Sequence, residues 1–151
     1  MMKRTISTLL IAILLPVIAG CTRNDGDIGT WFGSWKLERI TIDGLIDEKY
    51  QGDIFWQFQS SVFCMRKILP HNEHEERWGT WKELGDNMLQ LDFTHTDDSH
   101  PDGKDLYTPW PETHITRGIT ELKVLKLEVD DMRLQYTADD GTLYIYFLNK
   151  W

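Results

Sequence analysis

Asp53-Ile54-Phe55-Trp56-Gln57-Phe58-Gln59-Ser60-Ser61-Val62-Phe63-Cys64-Met65-Arg66-Lys67-Ile68 is the stretch that decides the fold class. Ile54, Trp56 and Phe58 fall on one face of an extended chain, whose side chains alternate with period two. Ser60-Ser61 is a short polar turn of the kind hairpins use, and a second run follows it. The same alternation and punctuation recur along the chain. Strands are expected near 35–42, 53–59, 62–68, 77–84, 88–94, 119–129, 132–137 and 142–149. Asp43-Gly44, Gly85-Asp86-Asn87, Asp130-Asp131 and Asp139-Asp140-Gly141 supply further turns between them. No stretch sustains an apolar 3.6-residue period for three turns. Strands joined by short turns pair antiparallel with their neighbours, and closing eight of them removes both exposed edges. The reading is an all-β, eight-stranded antiparallel up-and-down barrel over residues 31–151.

Each of four sets, Ile54/Trp56/Phe58, Leu89/Leu91/Phe93, Met132/Leu134/Tyr136 and Leu143/Ile145/Phe147, occupies one strand face and reads as core. Trp35, Trp56, Phe58, Trp81, Leu91, Phe93, Tyr136, Ile145 and Phe147 are therefore the candidates to line a small-molecule pocket, which is mostly apolar with a few polar groups. An eight-stranded barrel is just wide enough either to be filled by its side chains or to hold one small ligand. The sequence leaves both open.

The last strand is apolar on both faces, since Tyr144, Tyr146 and Leu148 alternate with Leu143, Ile145 and Phe147. A strand with one solvated face should alternate with polar residues. With Ile145 and Phe147 turned inward, something must cover Tyr144 and Tyr146. The long connection from about His95 to Gly118, with Pro101, Pro109 and Pro111, is expected to do so through Leu106, Tyr107 and Trp110; a loop that long in a compact domain is usually functional. A partner protein or a second copy is the alternative. Trp110, Tyr144 and Tyr146 are thus the candidate interaction surface.

The first residues carry an address. Lys3 and Arg4 precede the apolar run Leu9–Ala19, which is too short to cross a bilayer as a helix of ~20 residues and fits the core of a signal peptide. Ile18-Ala19-Gly20-Cys21 resembles the bacterial lipobox, in which a branched aliphatic and two small residues precede the cysteine that accepts diacylglycerol. Residues 1–20 are read as a lipoprotein signal peptide. Residues 21–30 follow as an acylated Cys21 with a polar tether. Each buried methylene of an acyl chain adds ~0.8 kcal/mol of membrane affinity. Thr22 rather than Asp after the cysteine favours the outer membrane by the enteric sorting rule.

The whole chain has 16 basic and 24 acidic residues, a formal charge of −8. Without residues 1–20, which hold only Lys3 and Arg4, 14 basic and 24 acidic residues leave −10. Nucleic-acid phosphates need a basic footprint, so that partner class is excluded. Of the two cysteines, one is the lipid site and Cys64 lies within a strand. No disulfide is expected.

Gly33-Ser34-Trp35 at the first strand resembles the Gly-x-Trp signature of lipocalins, where the resemblance implies that the Trp closes the bottom of the barrel. A second step, Gly79-Thr80-Trp81, followed by Gly85-Asp86 and Leu89-x-Leu91-x-Phe93, is similar to the midpoint of small lipocalin-like lipoproteins frequent in Bacteroidetes. The resemblance departs at two points. No Thr-Asp-Tyr step matches the second lipocalin motif, and the chain ends at Trp151 in or just after the last strand, without the flanking C-terminal helix. A reduced, lipocalin-like barrel is implied, with a small apolar or amphipathic ligand.

Signals for chemistry are sparse. His71-Asn72-Glu73-His74-Glu75-Glu76 has zinc-compatible side chains but sits after Pro70 with nothing to fix its backbone, so a solvated turn is the plainer reading. Asp97–Asp105 matches a calcium loop at Asp98, Asp102 and Gly103 but puts His100 at position 3 and Pro109 where a bidentate Glu belongs. No nucleophile elbow, phosphate loop or His-Glu-x-x-His helix is present, and no catalytic residue, metal or cofactor is assigned. Arg66 and Arg77 are able to meet a ligand carboxylate if they point inward. The expected function is non-enzymatic binding by a protein lipid-anchored in the bacterial cell envelope. The alternative is a filled barrel that serves as an envelope interaction module or homodimer.

Overall fold

The computed structural model describes residues 29–95 and 106–151. The lipidation motif at Cys21 and the acidic run Asp97–Asp105 lie outside them. Nine strands are present: β1 (Gly33–Ile42), β2 (Leu45–Ile46), β3 (Ile54–Gln59), β4 (Val62–Ile68), β5 (His74–Gly85), β6 (Met88–Asp92), β7 (Ile119–Leu127), β8 (Asp131–Thr137) and β9 (Leu143–Lys150). All pairings are antiparallel. β1 pairs with β3 on one side and β9 on the other, which closes eight strands into a barrel and leaves β2 as a two-residue flank on β1. Helical structure among the described residues is limited to one-turn 3-10 segments at Gly29–Trp31, Pro70–Asn72 and Pro111–Thr113. The expected eight strands are those of the barrel. One start moves: His74, Glu75 and Glu76 continue β5 opposite Ile68, Lys67 and Arg66 rather than forming a turn.

The meander gives the barrel two ends. The chain enters at Gly29–Trp31 and leaves at Trp151 at the lower end, beside the turns at 60–61, 86–87 and 128–130. The connections 43–53, 69–73 and 138–142 and the described segments 93–95 and 106–118 lie at the upper end. Bulges adjust which residues face in. A register shift between Leu37 and Arg39 of β1 keeps both Leu37 and Ile40 in the core although they are three apart.

The inner face is packed with rings. Trp35, Trp56, Phe58, Phe63, Phe93 and Tyr146 are fully buried. Trp31 meets Phe58 at 5.1 Å between centroids, Phe58 meets Phe63 at 5.0 Å, Phe63 meets Trp56 at 5.4 Å and Trp56 meets Tyr146 at 5.2 Å. Most are tilted or edge-on, the arrangement the ring quadrupoles favour. Gly79 makes room for this column, because the Phe93 ring lies where its side chain would be.

The faces of β9 are the reverse of the sequence expectation. Tyr146 and Leu148 are fully buried opposite Ile40 and Leu37 of β1, and Tyr144 packs against the same core. Ile145 and Phe147 therefore turn outward. Alternation cannot choose a face when both are apolar; pairing with β1 and β8 does so. On that outer face Arg39 sits over the Phe147 ring at 4.0 Å and Arg133 at 5.5 Å. Both guanidinium groups lie over the ring while the charge stays in water.

Candidate binding site at the upper mouth of the barrel

The segment 106–118 enters the upper mouth instead of lying on the outside of β9. Leu106 accepts a hydrogen bond from the Trp78 amide at 2.6 Å, and the 93 and 118 backbones bond each other. Trp110, Thr113 and Ile115 are buried, and Trp110 and Ile115 join the core cluster. The Trp110 carbonyl accepts from the Thr113 amide and hydroxyl, so a tight turn fixes the segment. The Tyr146 hydroxyl, deep in the barrel, donates to the Thr113 carbonyl at 2.9 Å. Burial pushes the Tyr146 hydroxyl well above its ordinary pKa, which keeps it a proton donor for that bond. His114 closes the rim, stacked on Tyr144 at 4.8 Å and bonded through Nε2 to Asp47 Oδ2 at 2.8 Å. That bond, against some desolvation, holds the Asp47 carboxyl below its usual range.

Two cations point into this mouth. Lys67 on β4 pairs with the inward Ile54, and Arg77 on β5 pairs with the inward Met65. Trp110 packs against both, 4.4 Å from the Arg77 guanidinium carbon and 5.2 Å from Lys67 Nζ. Lys67 is bonded to the Glu112 carboxylate and lies 3.9 Å from Asp53 Oδ2. Burial raises the Glu112 pKa, but the Lys67 hydrogen bond and charge outweigh it and the net position is lowered. Arg77 Nε and Trp110 Nε1, and the acceptor Asp53 Oδ1, are buried without a hydrogen-bond partner among the described residues. A buried donor without an acceptor costs roughly 1–3 kcal/mol. The mouth therefore combines two cations, unpaired N–H groups and an aromatic wall, and one of its cations is held by a carboxylate from the chain itself. This chemistry suits an acidic headgroup on an apolar body.

The sequence candidates divide by location. Trp35, Trp56, Phe58, Leu91 and Phe93 are fully buried in the column and Trp81 nearly so. Tyr136 packs beside the core and stacks on Tyr144. Trp35 closes the lower end with Trp31, whose carbonyl accepts from the Trp35 indole at 2.9 Å. The Trp31 indole in turn donates to Glu83 at 2.6 Å. Ile145 and Phe147 lie on the outer face of β9; Tyr146 and Trp110 are buried inside, and Tyr144, half-buried, packs against the same core. Lys67 and Glu112 were not among the sequence candidates, because polar residues occupy both faces of the β4 and β5 ends there. Arg66 turns outward to Glu76 at 2.7 Å. Cys64 is buried between Gln57 and Trp78 on the neighbouring strands, and burial pushes its thiol up to about 12. Among the described residues no three His, Cys, Asp or Glu side chains converge to hold a metal.

No protein-family model and no curated protein sequence matches the chain. Solved structures do. A lipocalin-like protein from Bacteroides uniformis ATCC 8492 aligns at 18% identity and a TM-score of 0.60, over 82% of this chain and 100% of that one. An uncharacterized protein from Bacteroides eggerthii DSM 20697 aligns at 22% identity and a TM-score of 0.57, over 80% and 99% of the two chains. At these identities the likeness concerns the fold, and it spans essentially the whole of both neighbours. The chain has the closed, eight-stranded, antiparallel lipocalin-like barrel fold found in these Bacteroides proteins.

Proposed function

We propose that this protein is a non-enzymatic binder of a small amphipathic molecule with an acidic headgroup, taken at the upper mouth and lipid-anchored through Cys21 to the bacterial outer membrane. One observation carries the reading: Lys67 and Arg77 both face into the mouth against Trp110, with Arg77 Nε buried and unpaired. Glu112 stands in for the ligand's acid by holding Lys67. Binding then exchanges the Glu112 carboxylate for the ligand's and gives Arg77 an acceptor, while the apolar tail displaces part of the 106–118 segment. Lipobox and tether support the anchor.

The test is titration of the chain with a naturally fluorescent polyene fatty acid and with the alcohol of the same chain. Charge-assisted hydrogen bonds are worth about 1.5–3 kcal/mol, so Arg77→Gln should weaken acid binding by at least about tenfold and leave the alcohol unaffected. Equal affinity for acid and alcohol, or an Arg77→Gln variant that binds normally, refutes the assignment. The filled aromatic column favours a second reading, in which the barrel is a rigid module for an envelope partner. Absence of binding by either probe, with an envelope protein retained stoichiometrically, would select it.

A further inference from the structure

The lower end differs from the upper in two ways that point to the same surface. Phe32, Val62, Leu84, Leu125, Val129 and Trp151 are large apolar side chains exposed around it, with Val129 at 81% and Trp151 at 77%. The Lys150 amide bonds the Asp130 carbonyl and the Trp151 amide bonds Ser34, which brings the 129 turn beside the terminal tryptophan. A cleft of about 590 Å³ opens beside Leu125, with Trp31, Met88, Val124 and Leu127 on its walls together with the polar Glu83, Asp86, Asn87 and Lys126. The upper end also exposes Leu45, Ile46, Ile68 and Ile119, so apolarity alone does not separate the two.

Charge does. At the lower end residues 29–35 and the 60–61 turn carry no charged side chain, Glu83 and Asp86 stand at the 86–87 turn, and in the 128–131 turn Glu128 and Asp131 pair with Lys126 and Arg133. The upper turns at 43–49 and 138–142 carry Asp43, Asp47, Glu48, Asp139 and Asp140 against Lys49 alone. A surface apposed to anionic lipid is repelled more strongly at the upper end than at the lower. The described chain also begins at the lower end, at Gly29. Even fully extended, the eight steps from Cys21 reach about 28 Å, comparable to the roughly 30 Å length of a ten-residue strand such as β1.

We infer that the lower rim is a membrane-contact surface, with Trp151, Phe32 and Val129 entering the lipid interface and the ligand mouth facing away from it. The inference rests on the Cys21 anchor proposed above. Trp and Phe suit this role because an amphipathic or apolar ring gains from leaving water at headgroup depth.

The experiment couples the chain from Cys21 to Trp151, which contains every described residue, to phosphatidylcholine vesicles through a maleimide-bearing lipid at Cys21. Buried Cys64 does not compete. With acyl chains brominated near the headgroup, tryptophan emission should fall by about one part in seven, the share of one of the seven tryptophans. Trp151→Phe should remove that loss, and Val129→Asp with Leu125→Asp should reduce it. Emission unchanged by bromination overturns the inference, as does a stable dimer in sedimentation that shields Trp151. The anchor itself is read separately: a Cys21 that takes no fatty-acid label in cells removes the natural tether while the vesicle result still reports on the rim.

Discussion

Gly79 offers the sharpest test of the packed column. It lies on the inner face of β5 opposite Phe63. A Cβ built there stands 2.7 Å from the Asp92 carbonyl oxygen and 3.0 Å from two carbons of the Phe93 ring. The ring can shift; the carbonyl belongs to the β5–β6 ladder and cannot move alone. Overpacking a well-filled core costs about 1–3 kcal/mol. Restricting the unfolded chain returns about 0.4–1 kcal/mol, because alanine has less backbone freedom than glycine. Gly79→Ala should therefore lose about 1–2 kcal/mol net. At about 4 °C per kcal/mol for a domain of this size, the melting temperature falls by about 4–8 °C. Circular dichroism on heating, with urea titration for the free energy, measures both. Adding Phe93→Leu should make the pair less than additive by about 0.5 kcal/mol or more, since the two sites touch. A Gly79→Ala protein as stable as the parent would mean that the ring does not occupy this space, and the filled-column account would fail.

Tyr146→Phe removes the donor to the Thr113 carbonyl and leaves a buried acceptor unpaired, for a loss of about 1–2 kcal/mol. Amide exchange should speed up in 106–118 before it does elsewhere; uniform acceleration would argue against a local fastening. Asp47 and Glu112 have lowered folded pKa values. Their stabilisation is complete above the unfolded carboxylate range and is lost as pH falls through the folded values. Asp47→Asn should thus flatten the acid limb of a stability-against-pH curve below about pH 4, and an unaltered limb would remove Asp47 from the account. The Cys64 thiol, buried and pushed up to about 12, should react with a disulfide reagent at neutral pH only on unfolding. Cys21→Ser should abolish fatty-acid labelling and release the protein from membranes, and persistent labelling would end the anchor proposal.

Most of the architecture was legible without coordinates. The runs around Trp56, Leu91 and Leu134 alternate, and residues such as Ser60-Ser61 and Asp139-Asp140-Gly141 punctuate the chain; both signals are local. Antiparallel pairing follows from the short turns. The upper site was only half legible. Arg66 and Arg77 were equal candidates to meet a carboxylate, and only the pairing of Arg77 with Met65 turned one of them inward. Lys67 showed no signal of its own, since its inward direction is set by Ile54 across the hairpin.

What tertiary structure alone decided is the assignment of faces and the fate of the long connection. In β9 both alternating sets are apolar, so burial energy favours either equally from sequence. The choice falls to the bulged register with β1, which sets Tyr146 opposite Ile40 and Leu148 opposite Leu37. Once Tyr146 points inward, its hydroxyl needs an acceptor, and the Thr113 carbonyl supplies it. That bond draws 106–118 into the mouth with Trp110 and Glu112 beside the two cations. Strands and turns follow from neighbours a few residues apart, whereas closure rests on β1 pairing with β9, more than a hundred residues along the chain. The binding mouth depends on contacts such as that between residues 113 and 146, which only the folded register brings together.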